Sequence, residues 1–330
     1  MNESSAKNDC GVVIIGRNEG ERLRVCLSSV VNQTSQTIYV DSGSTDSSVS
    51  IAKDLGAEVV ELDMDKPFTA ARARNAGFTY LMKVAPKLSY VQFVDGDCEV
   101  VDNWISDAQT CLEENPNMAV VCGRRRERFP GKSIYNQLCN IEWDTPIGEA
   151  KACGGDALMR VNAFKQVDGY RDDLIAGEEP ELCVRLRLSG WKIWRLDQEM
   201  TMHDAAMTKF TQWWNRSKRA GYAYTEGAHI HGKAPLFHRV KEVRRVRLWA
   251  LWIPLIIVVL TVLFGWIALL LVLVYPLQML RLMFQSRISP PGKWWHSLFL
   301  VLGKFPEMSG QILFFSNRIR SKSGRIIEYK

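Results

Sequence analysis

Two aspartates separated by one glycine, Asp95-Gly96-Asp97, follow the apolar run YVQFV at residues 90–94. Carboxylates at i and i+2 at the end of a strand can both approach one cation or its bound water. Hard Mg²⁺ or Mn²⁺ takes oxygen ligands, often one or two carboxylates with phosphate oxygens. Two other polar clusters close apolar runs in the same way. Arg17-Asn18-Glu19 follows CGVVIIG at residues 10–16, and Asp41-Ser42-Gly43-Ser44-Thr45-Asp46 follows TIYV at residues 37–40. Taken alone, Glu19 and Asp41 also suit turns or caps, and Asp46 is expected to cap the helix after it. Further on, Gly154-Gly155-Asp156 sets a carboxylate behind two glycines, where backbone can approach a ligand closely. Glu178 and Glu179 follow in AGEEPEL, and His203 in MTMHD.

These side chains need elements to hold them. The continuous apolar run at residues 10–16 suits a strand buried on both faces. Helical spacing of Leu23, Cys26, Leu27 and Val30 predicts a helix over residues 21–31. Strands are expected at 37–40, 58–62, 90–94 and 192–195, and helices at 47–55, 68–84 and from Glu181 onward. Alternating strand and helix predicts an α/β fold with a parallel sheet. Ligands in such sheets bind at the carboxyl ends of strands, where the polar clusters fall. The sequence contains no G-x-G-x-x-G and no G-x-x-x-x-G-K-[ST], which weighs against a dinucleotide-dependent oxidoreductase and a P-loop NTPase.

The charge is split along the 330 residues. Residues 1–232 carry 27 Lys/Arg against 33 Asp/Glu, and residues 233–330 carry 15 against 3. An acidic head on a basic tail argues against a nucleic-acid partner and for a tail near anionic lipid. All eight cysteines lie in the head with no C-x-x-C pair, so free thiols in a reducing compartment are expected. Residues 1–9 are polar, with no signal-peptide pattern. Residues 248–280 contain no Asp, Glu, Lys or Arg and are flanked on both sides by basic residues. A bilayer core is about 30 Å thick, and basic flanks stay cytoplasmic. Both flanks are satisfied by a two-span helical hairpin with its tip at Gly265-Trp266, which leaves the head in the cytoplasm. Beyond it, residues 294–315 read as an interfacial amphipathic helix, followed by a basic tail.

In order, VVIIGRNEGERLRVCLSSV, YVDSGSTDSS, FVDGD, GGDALMR, AGEEPELCVRLRLSGWKIW and His203 resemble the family 2 glycosyltransferases with the GT-A fold. The resemblance covers roughly residues 10–227, and the tail is similar to that of the membrane-attached branch. It implies a Rossmann-like, mostly parallel sheet flanked by helices, with a C-terminal α-helical transmembrane hairpin. The domains would be a flexible 1–9, a catalytic domain at 10–232, a basic linker at 233–247, the hairpin at 248–284, and an interfacial helix with basic tail at 285–330. By the same resemblance Asp97 is the direct ligand of a divalent metal, Mg²⁺ or Mn²⁺. Asp95 lies by the ribose or metal, and His203 can complete the metal site. Asp41 would accept from the nucleobase, and Glu19 would sit near the ribose. Arg74 and Asn75, with Arg72, would lie beside the nucleotide. Asp156 would border the donor sugar and acceptor. Glu179 would deprotonate the acceptor, with Glu178 as the nearest alternative; Glu179 stands where the family has Asp.

The implied activity is inverting, metal-dependent transfer of one sugar from a nucleotide-sugar, a UDP-sugar for choice. A lipid-linked glycan or other saccharide at the membrane is the expected acceptor. A nucleotidyltransferase usually opens with a Gly-rich basic loop, whereas here the first loop is acidic at Glu19; an inactive membrane scaffold would not need the acidic set. Trp213-Trp214-Asn215-Arg216 departs from the Q-x-x-R-W pattern of processive members, because the Trp pair precedes the Arg. Arg124-Arg125-Arg126 reads as a solvated face or a phosphate-facing patch, and Trp143 as packing rather than a sugar platform.

Overall fold

A computed structural model of the chain describes residues 9–286, 288 and 292–320. The expectations for the first eight residues and for the basic tail beyond residue 320 lie outside the described residues. Two compact units emerge: Met1–Pro130 with Cys139–Ala205, and Gly131–Leu138 with Ala206–Lys330. By this division the first unit ends at Ala205.

The first unit is built on one mixed sheet. It comprises β1 (Cys10–Gly16), α1 (Glu21–Val30), β2 (Gln36–Asp41), α2 (Ser48–Asp54), β3 (Glu58–Glu61), α3 (Ala70–Val84), β4 (Tyr90–Asp95), β5 (Cys98–Val100), α4 (Trp104–Glu114) and β6 (Met118–Glu127). After α5 (Ile134–Glu142) follow β7 (Gly148–Glu149), β8 (Ala157–Arg160), α6 (Val161–Gln166), α7 (Glu178–Leu188) and β9 (Lys192–His203). The strand order is β3-β2-β1-β4-β8-β6-β9-β5, with β7 beside β9. The first four strands run parallel, β8 opposes both β4 and β6, and β6 with β9 is parallel again. The apolar run of β1 is buried on both faces, as a central parallel strand requires. Helix α3 lies directly on it, since a Cβ at Gly77 would stand 2.4 Å from a Val13 methyl.

Three expected boundaries move. Asp46 does not cap α2; Ser47 holds that place, and Asp46 Oδ1 instead accepts from the Ser48 N–H at 3.0 Å. Helix α7 begins at Glu178, three residues before Glu181, because Gly177 at φ 81° turns the chain into it. Pro180 is tolerated there because a first-turn N–H needs no intrahelical acceptor. Strand β9 runs through twelve residues to His203 rather than stopping at Arg195.

The second unit is helical. Helix α8 (Phe210–His231) packs on the helix Lys304–Ile319 through facing glycines. A Cβ at Gly221 would meet the Glu307 carbonyl at 1.9 Å, and one at Gly310 the Lys218 carbonyl at 2.0 Å. Among the described residues, three helices are long and apolar enough to cross a membrane: Val240–Phe264, Trp266–Gln285 and Gly292–Ile319. The first two are 25 and 20 residues long, roughly 38 and 34 Å, since Trp266–Leu273 is 3₁₀ and rises about 2 Å per residue. They break at Gly265 (φ 79°), the expected tip. The Tyr275 hydroxyl donates to the Trp249 carbonyl at 2.7 Å, as antiparallel arms of a hairpin allow. The first arm starts at Val240 and so carries its basic residues within the helix.

Candidate active site

Strand register brings the polar clusters to one edge. Gly16 pairs with Asp41, and Ile15 with Asp95, so the ends of β1, β2 and β4 lie in a row. The loops after β1 and β2 are laced together. Asn18 Oδ1 accepts from the Thr45 N–H at 2.7 Å, and the Asn18 N–H donates to Ser44 Oγ at 2.9 Å. The buried Ser48 Oγ accepts from the N–H groups of Glu19 and Gly20, each at 3.1 Å. Glu19 is thereby fixed beside Gly96, and Arg22 Nη2 lies 2.8 Å from its Oε2. Asp41 holds its own turn: Oδ2 accepts from Gly43 and Ser44 N–H, and Oδ1 from the Tyr39 hydroxyl at 3.0 Å.

At the centre, charges alternate. Glu178 Oε1 is 2.8 Å from Arg74 Nη1, and Arg74 Nη2 is 2.7 Å from Asp95 Oδ1. Asp95 Oδ2 faces Arg125 Nη2 at 3.4 Å, and Arg125 Nη2 meets Asp156 Oδ2 at 2.7 Å. Asp156 is fully buried and also accepts from the Asp95 N–H (3.0 Å) and the Thr201 hydroxyl (2.9 Å). Burial works against the Arg74 charge, but Asp95, Tyr170 and Glu178 hold its pKa above the ordinary guanidinium value. Arg125 behaves alike: burial opposes its charge, and Asp156 foremost sustains it. A Cβ on Gly155 would stand 2.8 Å from Asp95 Oδ2 and 2.9 Å from Arg74 Nη2, so only glycine lets this loop approach the pair.

Asp97 and His203 meet because β5 and β9 pair with Cys98 opposite His203. Asp97 Oδ1 lies 3.2 Å from His203 Nε2, and both residues are buried. Burial, with the Arg125 cation next, pushes the His203 imidazole from its ordinary 6.5 down to about 4. It is therefore neutral near pH 7, as a ligand must be. Its Nδ1 is buried and has no hydrogen-bond partner among the described residues. With Nε2 facing the Asp97 carboxylate and Nδ1 without a partner, this neutral imidazole and carboxylate fit a divalent cation whose shell phosphate oxygens complete. Burial foremost raises the pKa of the neighbouring Cys98 thiol, whose sulfur lies in the same group as Asp97 and His203. Trp143 stands edge-on to His203, ring centroids 4.6 Å apart, and under the Arg125 guanidinium at 5.6 Å.

In the first turn of α7 the three acids divide. Glu178 is committed to Arg74, and Glu181 to Arg185 at 2.8 Å. Glu179 Oε1 accepts from the Cys153 N–H at 2.5 Å and from the Cys183 thiol at 3.0 Å. Its Oε2 takes no hydrogen bond from any described residue.

Two expected nucleotide contacts are used elsewhere. Asn75 donates from Nδ2 to the Tyr170 carbonyl and Asp172 Oδ1, both at 2.7 Å, and accepts from the Tyr170 N–H. Both of its donors are occupied, so it anchors the loop before α7. Arg72 is half-buried and donates to the carbonyls of Asp63, Lys66 and Pro67. Arg125, conversely, was hidden inside a charge run. Strand alternation sends it to the site, while Arg124 and Arg126 turn to Asp144 and Glu199.

Residues 11–166 match the family model described as "Glycosyl transferase family 2", and the chain carries a domain of that family. The succinoglycan biosynthesis protein ExoA of Rhizobium meliloti is 28% identical over 189 residues, 54% of this chain and 56% of that protein. A TPR repeat-containing protein of Synechococcus elongatus is 26% identical over 142 residues, 43% of this chain and 33% of that one. The chain thus spans about half or less of the curated relatives it matches. The fold is similar to the mannosyltransferase PcManGT from Pyrobaculum calidifontis, solved with GDP-Man and Mn²⁺. The TM-score is 0.64 at 14% identity, over 94% of this chain and 88% of that one. Residues 1–349 of S. aureus TarS give 0.52 at 15% identity, over 95% and 92%. These likenesses identify the sheet and its helices as GT-A.

Proposed function

We propose that the chain is a metal-dependent, inverting glycosyltransferase. It moves a sugar from a nucleotide-sugar to a hydroxyl of a lipid-linked or saccharide acceptor at the cytoplasmic face of a membrane. The observation that carries this reading is the strand-end cluster, where Asp97 and a neutral His203 adjoin the Glu178–Arg74–Asp95–Arg125–Asp156 chain. Asp97 and His203 would hold Mg²⁺ or Mn²⁺; imidazole suits Mn²⁺ better than Mg²⁺. When bound, the cation offsets the charge that builds on a departing diphosphate.

The chain's own residues do the rest. Arg74 and Arg125 fix Asp95 and Asp156 in one geometry, so that neither carboxylate turns towards the cation at will. Asp41 and Glu19, held in laced loops, are placed to recognise base and ribose. Glu179 presents Oε2 to the acceptor hydroxyl. In the transfer the acceptor oxygen bonds to the anomeric carbon as the bond to the diphosphate breaks, and the hydroxyl proton passes to Glu179. The commitment of Glu178 to Arg74 favours Glu179 as that base. The two helices meeting at Gly265 support membrane attachment, with Lys241, Arg244, Arg245 and Arg247 in the opening turns of the first and Arg281 near the end of the second. The third apolar helix packs on the polar α8, which favours an interfacial position for it and two spans.

A general base of this kind contributes about 10²–10⁴-fold. Glu179→Gln should lose rate on that scale while keeping Mn²⁺-dependent UDP affinity, and Glu179→Asp should retain part of the rate. The donor is found by screening nucleotide-sugars for thermal stabilisation of the solubilised protein with and without Mn²⁺. Stabilisation by none of them, or equal stabilisation without Mn²⁺, would overturn the reading.

A further inference from the structure

Behind the free oxygen of Glu179 lies a second group of metal-ligating atoms. Cys153 Sγ, Cys183 Sγ and a Glu179 carboxylate oxygen lie within 4.8 Å of one another, and all three residues are buried. The two sulfurs are 3.7 Å apart. In a tetrahedral zinc site with Zn–S arms of about 2.3 Å, two sulfurs stand about 3.8 Å apart. The pair therefore already spans one edge of such a site. Glu179 Oε1, 3.0 Å from Cys183 Sγ, has to open by only about half an ångström to become the third ligand at ordinary Zn–O and Zn–S distances.

The donor set differs in kind from that at Asp97 and His203. Two thiolates and one carboxylate select a thiophilic cation, whereas oxygen and imidazole suit Mn²⁺. We propose that Cys153, Cys183 and Glu179 bind Zn²⁺ or a similar thiophilic divalent cation, and that this occupancy shuts off transfer. Binding breaks two Sγ–H bonds, releases both protons to solvent and forms two sulfur–metal bonds. No oxidation is involved. Without the cation both thiols keep their protons: hydrogen bonding from Cys183 and then burial raise Cys153, and burial foremost raises Cys183 to about 11. The inhibitory half of the proposal rests on Glu179 as the base, because a carboxylate coordinated to a cation no longer accepts a proton. The binding half does not rest on it.

The test uses the full chain in detergent, stripped of metal by chelation. Co²⁺ is added as a spectroscopic probe and Zn²⁺ as the competitor. One equivalent of Co²⁺ should give thiolate-to-cobalt charge-transfer absorption, and Zn²⁺ should remove it. Cys98→Ser should keep the band, which separates this site from the Asp97–Cys98–His203 group. Cys153→Ser and Cys183→Ser should each weaken binding by more than about 100-fold, beyond the loss expected for an outer-shell partner. In the transferase assay at saturating Mn²⁺, Zn²⁺ should inhibit the wild type. Cys183→Ser should need about 100-fold more Zn²⁺ for the same fractional inhibition of its own rate. A missing band, or one that follows Cys98, overturns the proposal. A band that needs Cys153 and Cys183 with transfer unaffected upholds the site and overturns Glu179 as the base. If the serine variants do not fold, alkylation of the wild type decides. Protection of these two thiols by Zn²⁺ supports the site, and equal labelling with and without Zn²⁺ refutes it.

Discussion

Replacing Arg125 with methionine removes the cation between Asp95 and Asp156 while keeping a side chain of similar length. Asp156 is fully buried, and its remaining partners are two neutral donors, the Asp95 N–H and the Thr201 hydroxyl. Breaking a buried pair from one side costs about 3–5 kcal/mol, because the surviving charge is left uncompensated. Asp95 keeps Arg74 at 2.7 Å and is partly exposed, so it adds little to that cost. Arg125→Met should therefore destabilise the first unit by roughly 3 kcal/mol or more. Removing the stranded charge as well, in Arg125→Met/Asp156→Asn, should recover a large part of the loss. The assay is denaturant unfolding of the solubilised wild type, both single variants and the double variant at one pH, analysed as a double-mutant cycle. Additive losses, or a loss below about 1 kcal/mol for Arg125→Met, would falsify the view that Arg125 stabilises Asp156 by charge.

Asp97→Ala should abolish transfer and Mn²⁺-dependent nucleotide binding while leaving the unfolding midpoint nearly unchanged; full activity in the variant, or in excess EDTA, refutes this. His203 gives a pH dependence. Its folded pKa of about 4 lies below the ordinary 6.5, so between these values the unfolded chain binds the extra proton. Its contribution is full above about 6.5 and is lost as pH falls towards 4, with a limiting slope of about 1.4 kcal/mol per pH unit. His203→Gln, measured without divalent cations, should lack that acid limb, and an unaltered limb sinks the assignment. Gly310→Ala should destabilise the second unit by roughly 1–3 kcal/mol, the range for overpacking, because its Cβ would lie 2.0 Å from a carbonyl oxygen. Wild-type unfolding in that variant would mean that the two helices separate freely.

The parallel half of the sheet was legible because its strands are short apolar runs ended by polar turn residues. β1, β2 and β4 each finish at a cluster that the eye can pick out, and Asp41, Asp95 and Asp97 stand there. The second half was less so. β6 passes from Met118-Ala119-Val120-Val121 into three arginines, and the change of composition hides a single ten-residue strand. Its pairing with β9 shifts register on both sides of Arg124, and only the separate ion-pair partners of the three arginines reveal that Arg125 points away from its neighbours. β9 continues past Arg195 through Asp197 and Glu199 because β5 and β6 supply its hydrogen bonds, and no local pattern says so. Asn75 carried visible chemistry but an invisible target, since its partners lie 95 and 97 residues further along.

The glycine crossing of α8 with Lys304–Ile319 sets a timetable for the nascent chain. Every strand of the sheet has been made once His203 is added, so the first unit has its full sheet while the ribosome is still far from the end. Helix α8 follows at once, yet the surface that fits its Gly221 is about ninety residues later, beyond both apolar arms. During that interval α8 is a finished helix without its cover. Both apolar arms are made first, and only then does Gly310 arrive to close over Lys218. A ribosome stalled between Gln285 and Lys304 should thus display a sheet resistant to protease and an α8 still open to cleavage.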